Sequence, residues 1–166
     1  MNPNFSHIKA LILDMDGVLW RANQPIGNLP EIFAAFERLG LKVTLATNNS
    51  TLTVDQYLEK LSGYGVSLKP EQIINSGHAA AYYLNRTHPN GGTVFMIGEA
   101  GLRSALAERG FTHGEKDPLA VIVSMDRELT YDKMAQATLL IRSGLPFIGT
   151  NPDRTFPTPL GLIPGV

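Results

Sequence analysis

Ala10-Leu-Ile-Leu13 is an apolar run of strand length that never alternates with polar residues and stops on Asp14. A strand without alternation is one covered on both faces, the habit of parallel sheets flanked by helices. The rest of the chain keeps this pattern. Spacing predicts further strands at Lys42–Ala46, Ile73–Ile74, Thr93–Ile97, Ala120–Ser124 and Pro146–Gly149. Helices are expected over Glu31–Leu39, from Thr53 to near Gly63, from a Ser76 cap through Ala80 to Leu84, over Leu102–Arg109, and over Tyr131–Ser143 behind a Thr130 cap. Such alternation belongs to α/β folds with parallel sheets. His88-Pro-Asn-Gly-Gly92 is the strongest breaker cluster and the expected boundary between two α/β units. The Pro- and Gly-rich tail from Asn151 is expected to be loop.

Composition narrows the functional classes. With 43% hydrophobic and 17% charged residues among 166, the chain has an ordinary globular balance, and its net charge of −1 argues against nucleic acid or an acidic membrane as partner. Cysteine is absent, so thiolate nucleophiles, disulfides and cysteine zinc sites are excluded. The apolar run before Asp14 is too short for a signal-peptide core or a membrane span, and a soluble, cytoplasmic protein is expected.

The sharpest chemistry follows the first strand, in Asp14-Met-Asp16-Gly17-Val18-Leu19-Trp20. Two acids one residue apart at the carboxyl end of a buried strand stand where α/β sheets hold ligands. Asp14 can attack a phosphoryl group, and Asp16 can protonate the leaving oxygen and later activate water. A divalent cation with oxygen ligands, Mg²⁺ for choice, would relieve repulsion between the carboxylates and a phosphate. The same residues also suit a plain strand-to-turn junction. Thr44-Leu-Ala-Thr47-Asn48-Asn49-Ser50 ends the second strand with a hydroxyl and amides that can hold phosphate oxygens, or equally cap a helix.

Together these segments resemble the first and second motifs of the haloacid dehalogenase superfamily. Asp-Met-Asp-Gly-Val-Leu-Trp with Ala-Thr-Asn-Asn-Ser is similar to its nitrophenylphosphatase-like branch, which includes phosphoglycolate and pyridoxal-phosphate phosphatases. That branch carries an α/β cap after the second motif, and Ile97–Leu102, Val121–Tyr131 and Thr150–Asp153 resemble parts of it. The resemblance implies a partial Rossmann-like core with a parallel sheet at 1–88, an α/β cap module at 89–158, and a segment returning toward the core at 159–166. It implies a phosphatase hydrolysing small phosphate esters through an aspartyl-phosphate. Asp14 would be the nucleophile, Asp16 the acid/base, Thr47 and Asn48 phosphate binders, and Asp14 with Asp16 the Mg²⁺ ligands.

The family's third motif supplies a lysine and its fourth a pair of acids, both after the cap. No lysine follows Lys133 here, and the only acid beyond it is Asp153. Ser124-Met-Asp126-Arg-Glu-Leu-Thr130-Tyr-Asp132 imitates the fourth motif, but its order and surroundings match the cap. The sequence is therefore expected to stop after the cap, with two consequences. One is weak activity, or none in a non-catalytic remnant or binding module. The other is self-association as a homodimer or higher oligomer over the open edge of the first strand. Trp20 suits either stacking on a substrate or packing, and Asn151–Asp153 either a cap loop or a bare turn. Tyr82-Tyr83 is expected to be helix packing, and the four histidines are too scattered for a metal cluster.

Overall fold

The computed structural model describes residues 7–158 and 161–165. They form two α/β units, one of residues 7–47 with Val54–Ile74, the other of Asn48–Thr53 with residues 75–158 and 161–165.

In the first unit, β1 (Ala10–Leu13), β4 (Lys42–Thr47) and β5 (Ile73–Asn75) form a sheet in the order β1-β4-β5. β1 and β4 are parallel, with Leu13 opposite Leu45, so their carboxyl ends are level. Between them lie a short hairpin, β2 (Trp20–Arg21) with β3 (Gln24–Pro25), and helix α1 (Leu29–Arg38). Asn28 caps α1 by accepting from the Glu31 N–H, Pro30 sits in its first turn where no N–H is needed, and Leu29 and Phe33 face inward. Helix α2 (Val54–Gly63) buries Tyr57 and Leu61, four residues apart on one face.

β1 departs from the expectation of a strand buried on both faces. Among the described residues it lies at the sheet edge, as expected, but one face is open as well: Ile12 is 76% exposed while Leu11 and Leu13 on the other face are half-buried. No polar residue marks the open face, because the sequence is written for a face that is covered.

In the second unit, β6 (Gly92–Ile97), β7 (Phe111–His113), β8 (Val121–Val123) and β9 (Phe147–Gly149) run parallel in the order β7-β6-β8-β9. Helices α3 (Ser76–Thr87) and α4 (Ala100–Ala107) bury Ala81, Leu84, Leu102 and Leu106 with Val94, Met96 and Ile122. Helix α5 (Tyr131–Arg142) sends Ala137 against Phe95, Ile97 and Val121. Alternate residues of β6 thus enter two cores, which is why Val94–Ile97 is an unbroken apolar run. Each fully buried Leu, Phe or Met contributes about 1.5–3 kcal/mol.

Several expectations change. The two compact units meet in sequence at 74–75, since α3 buries its apolar face against α4. The 88–92 breaker is a turn inside the second unit, closed by the Gly91 N–H on the His88 carbonyl at 3.0 Å. Asn75, not Ser76, caps α3, in a reciprocal box with His78. The tail is not all loop. β10 (Thr155–Thr158) and β11 (Gly161–Pro164) form an antiparallel ribbon, where prolines are tolerated because an isolated pair leaves each strand an outer edge. Residues 159, 160 and 166 of the expected return segment lie outside the described residues. Tyr82 and Tyr83 are 58% and 61% exposed, so they are not core packing. Tyr82 instead receives the Arg109 guanidinium 5.5 Å from its ring centre.

Candidate active site

Asp14 is the first residue after β1 and Thr47 the last of its parallel neighbour β4. The turn that follows Asp14 is built around Met15, which is fully buried. The Met15 carbonyl accepts from the N–H groups of Val18, Leu19 and Trp20 at 3.3, 2.9 and 3.3 Å. Gly17 takes φ +83°, a left-handed conformation natural to glycine, and donates its N–H to the Trp20 carbonyl at 2.7 Å. Anchoring Met15 inward leaves Asp14 and Asp16, on either side of it, exposed.

Asp16 is held further. The Trp20 indole N–H donates to its Oδ1 at 2.8 Å. Trp20 itself is fully buried, stacked on Tyr57 at 6.5 Å and tilted against Tyr64 at 6.0 Å, so it packs rather than waiting for a substrate. The Lys60 ammonium lies 4.4 Å from the Trp20 ring centre and donates to the Ala22 carbonyl at 3.1 Å. Burial pulls the Lys60 ammonium down from its ordinary range, while the Asp16 carboxylate pushes it up. Tyr57 shares a hydrogen bond with Thr47. Burial above all, then the charge of Asp16, drives the Tyr57 phenol upward; the Thr47 hydrogen bond opposes this and Asp14 adds to it. The Tyr57 phenol therefore stays protonated beside Thr47.

The expected site residues are thus partly assembled. Asp14, Asp16 and Thr47 share the carboxyl edge of the first unit's sheet, with Thr47 only 6% exposed. Asn48, next along the chain, belongs to the second unit. Its side-chain amide donates to Asp153 Oδ2 at 2.9 Å, and its carbonyl accepts from the Ser76 hydroxyl at 2.8 Å. The Asp153 N–H in turn donates to Asn151 Oδ1 at 2.9 Å, so Asn151–Asp153 is a closed turn tied to Asn48. Lys60 and Tyr57 escaped the sequence reading. Their signal was the i, i+3 spacing that places both on one face of α2. Among the described residues no three His, Asp or Glu side chains gather into a metal cluster. The two exposed carboxylates nevertheless offer only oxygen, the donor set that hard divalent cations take. No helix of the described residues is long and apolar enough to cross a membrane.

Residues 11–112 match the family model of the haloacid dehalogenase-like hydrolases. The chain is 34% identical over 160 residues to an acid sugar phosphatase of Staphylococcus epidermidis, covering 96% of itself and 61% of that relative. Among solved structures it resembles a 4-nitrophenylphosphatase from Thermotoga maritima (TM-score 0.89, 27% identity, 96% of this chain and 61% of that one). It also resembles a p-nitrophenyl phosphatase from Archaeoglobus fulgidus (TM-score 0.85, 31% identity, 95% and 60%). The chain therefore spans about three-fifths of the length of the relatives it matches. A family model lying across the Asp14–Trp20 turn and the end of β4, on a fold its solved relatives share, shows that the chain belongs to the haloacid dehalogenase-like hydrolases.

Proposed function

We propose that the protein is a phosphatase of small phosphate esters in which Asp14 is the nucleophile and Asp16 the acid/base. The observation that carries this reading is the turn at Met15, which leaves two carboxylates exposed at a strand's carboxyl end and ties one of them to a buried indole. Asp14 attacks phosphorus as the ester P–O bond breaks, and Asp16 gives its proton to the departing oxygen. Asp16 then takes a proton from water as that water attacks the aspartyl-phosphate, which releases phosphate and restores Asp14. Thr47 and the Asn48 amide are the phosphate-binding groups of this reading. The Asn48 amide gives one N–H to Asp153 and has a second for the ligand.

Asp14 and Asp16 would hold Mg²⁺, which when bound neutralises charge between carboxylates and phosphate. With two acids rather than three or more, the affinity for that ion is expected to be weak. The names of the relatives, an acid sugar phosphatase and 4-nitrophenyl phosphatases, support a small organic phosphate as substrate. The uncovered face of β1 supports the homodimer or higher oligomer expected from sequence, and a cytoplasmic location completes the proposal.

The test is hydrolysis of 4-nitrophenyl phosphate with and without Mg²⁺. Asp14→Asn should lower turnover by more than about a thousandfold, because an amide cannot form the acyl-phosphate. Turnover that survives in the variant overturns the nucleophile assignment. No turnover in the wild type favours the alternative, a non-catalytic binding module.

A further inference from the structure

Asp16 stands on an exposed turn, where a free carboxylate would sample several rotamers. Its Oδ1 is instead bound by a tryptophan that cannot move. Trp20 is fully buried between Tyr57 and Tyr64, and Lys60 closes over its ring while tying down the Ala22 carbonyl in the turn of the β2–β3 hairpin. Indole N–H is a donor only. An oxygen that accepts from it cannot also carry the carboxyl proton toward it.

We propose that Trp20, backed by Lys60, is a positioning residue for Asp16: it holds Oδ1 as an acceptor and thereby assigns proton transfer to Oδ2. The assignment rests on the reading of Asp16 as the acid/base. When the ester bond breaks, the proton on Oδ2 passes to the leaving oxygen. In the second half, Oδ2 takes the proton of the water whose oxygen bonds to phosphorus as the Asp14–phosphorus bond breaks. Lys60 acts through the ring. An ammonium over the indole face draws electron density from it and makes its N–H a stronger donor, and the same ammonium pins the hairpin that carries Trp20. A catalytic side chain whose supporting partner is itself locked by packing stays within the narrow geometry that proton transfer needs.

The experiment compares two esters that differ in their need for that proton. 4-Nitrophenolate leaves without protonation, whereas an alkoxide must be protonated as it departs. Trp20→Phe keeps a ring against Tyr57, Tyr64 and Lys60 and deletes the donor. It should lower kcat/KM, which reports the half-reaction that expels the ester oxygen and not the shared hydrolysis of the aspartyl-phosphate, about tenfold more for an alkyl phosphate than for 4-nitrophenyl phosphate. Lys60→Met should give a smaller loss of the same kind, and Lys60→Arg should restore it. Equal losses on the two esters would mean that Trp20 matters only for folding, and would overturn the proposal. A second measurement does not depend on turnover. Trp20 is the sole tryptophan, so the protein has one indole N–H resonance. Asp16→Ala should shift it upfield as its acceptor disappears, and an unmoved resonance would refute the contact. Wild type without turnover, or Asp14→Asn with it, removes the phosphatase reading and this proposal together. Asp14-dependent turnover without ester discrimination removes this proposal alone.

Discussion

Met15 anchors the turn that leaves its two neighbours, Asp14 and Asp16, exposed. It is fully buried, and its carbonyl gathers three N–H groups of the turn. Met15→Ala should cost about 2–5 kcal/mol by leaving a cavity, whereas Met15→Leu, close in volume, should cost less than about 1.5 kcal/mol. Urea denaturation followed by Trp20 fluorescence measures both, and a small loss in the alanine variant would mean that the turn closes without its anchor. A second residue-scale test concerns Asp126 in the second unit. Its side chain is 4% exposed, paired with Lys133 at 2.9 Å, and accepts the Glu128 N–H at 2.9 Å. Burial pushes this carboxyl upward, but the Lys133 hydrogen bond, the Glu128 N–H and the charges of Lys133 and Arg103 outweigh it and leave it below the ordinary range. A lowered folded value means that the fold favours the charged form. The contribution is fully present above the unfolded carboxylate range of about 4 and disappears as pH falls through the folded value. Asp126→Asn should therefore destabilise by about 1–2 kcal/mol at neutral pH, allowing for the partial exposure of Lys133. The difference from wild type should shrink in acid below about pH 4; a gap independent of pH would show that the pair's charge contributes nothing.

Among the elements, helix α4 shows how closely the second unit is packed. The Gly101 N–H donates to the Thr51 carbonyl at 3.1 Å, and a Cβ at this position would run into the carbonyls of Ser50 and Leu52. The segment 48–53 is also fastened by the buried Ser50–Ser124 hydroxyl pair at 2.6 Å. Gly101→Ala should therefore cost about 2–3 kcal/mol although alanine is the better helix former, because backbone rather than a flexible side chain is in the way. Gly63, at the end of α2, has nothing within 4 Å of its would-be Cβ and no left-handed φ. Gly63→Ala should be neutral or stabilising by up to about 1 kcal/mol. Thermal melts of the two variants decide, and equal effects would mean that the close approach of 48–53 to α4 does not persist in solution. Elements of this length were legible in the sequence wherever an apolar period ran for a full strand or several helical turns. β2 and β3 have two residues each and β7 three with only Phe111 buried, which is too short for any period to register.

For the whole molecule, the open face of β1 carries the clearest expectation. Ile12 is 76% exposed on an edge strand, an arrangement that invites another chain. The wild type should scatter light as an oligomer of the 18.1 kDa chain at micromolar concentration. Ile12→Glu places a charge on the uncovered face without emptying a core, and should return a folded single chain. A wild type that is monomeric throughout dilution would overturn self-association.

The sequence by itself determined the α/β alternation, the limits of β1, β4 and β6 to within a residue, and the placing of Asp14 and Asp16 where a strand ends. These follow from periods and breakers that act over a few residues, so they can be read without knowing what packs where. Tertiary structure alone decided that α3 joins the second unit, that Asn48 is tied to Asp153, and that Trp20 is buried under Lys60. Asn48 and Asp153 lie 105 residues apart and Lys60 and Ala22 38 apart. Such partners are chosen by the shape and charge of surfaces that exist only once the chain has folded, and no local pattern encodes them.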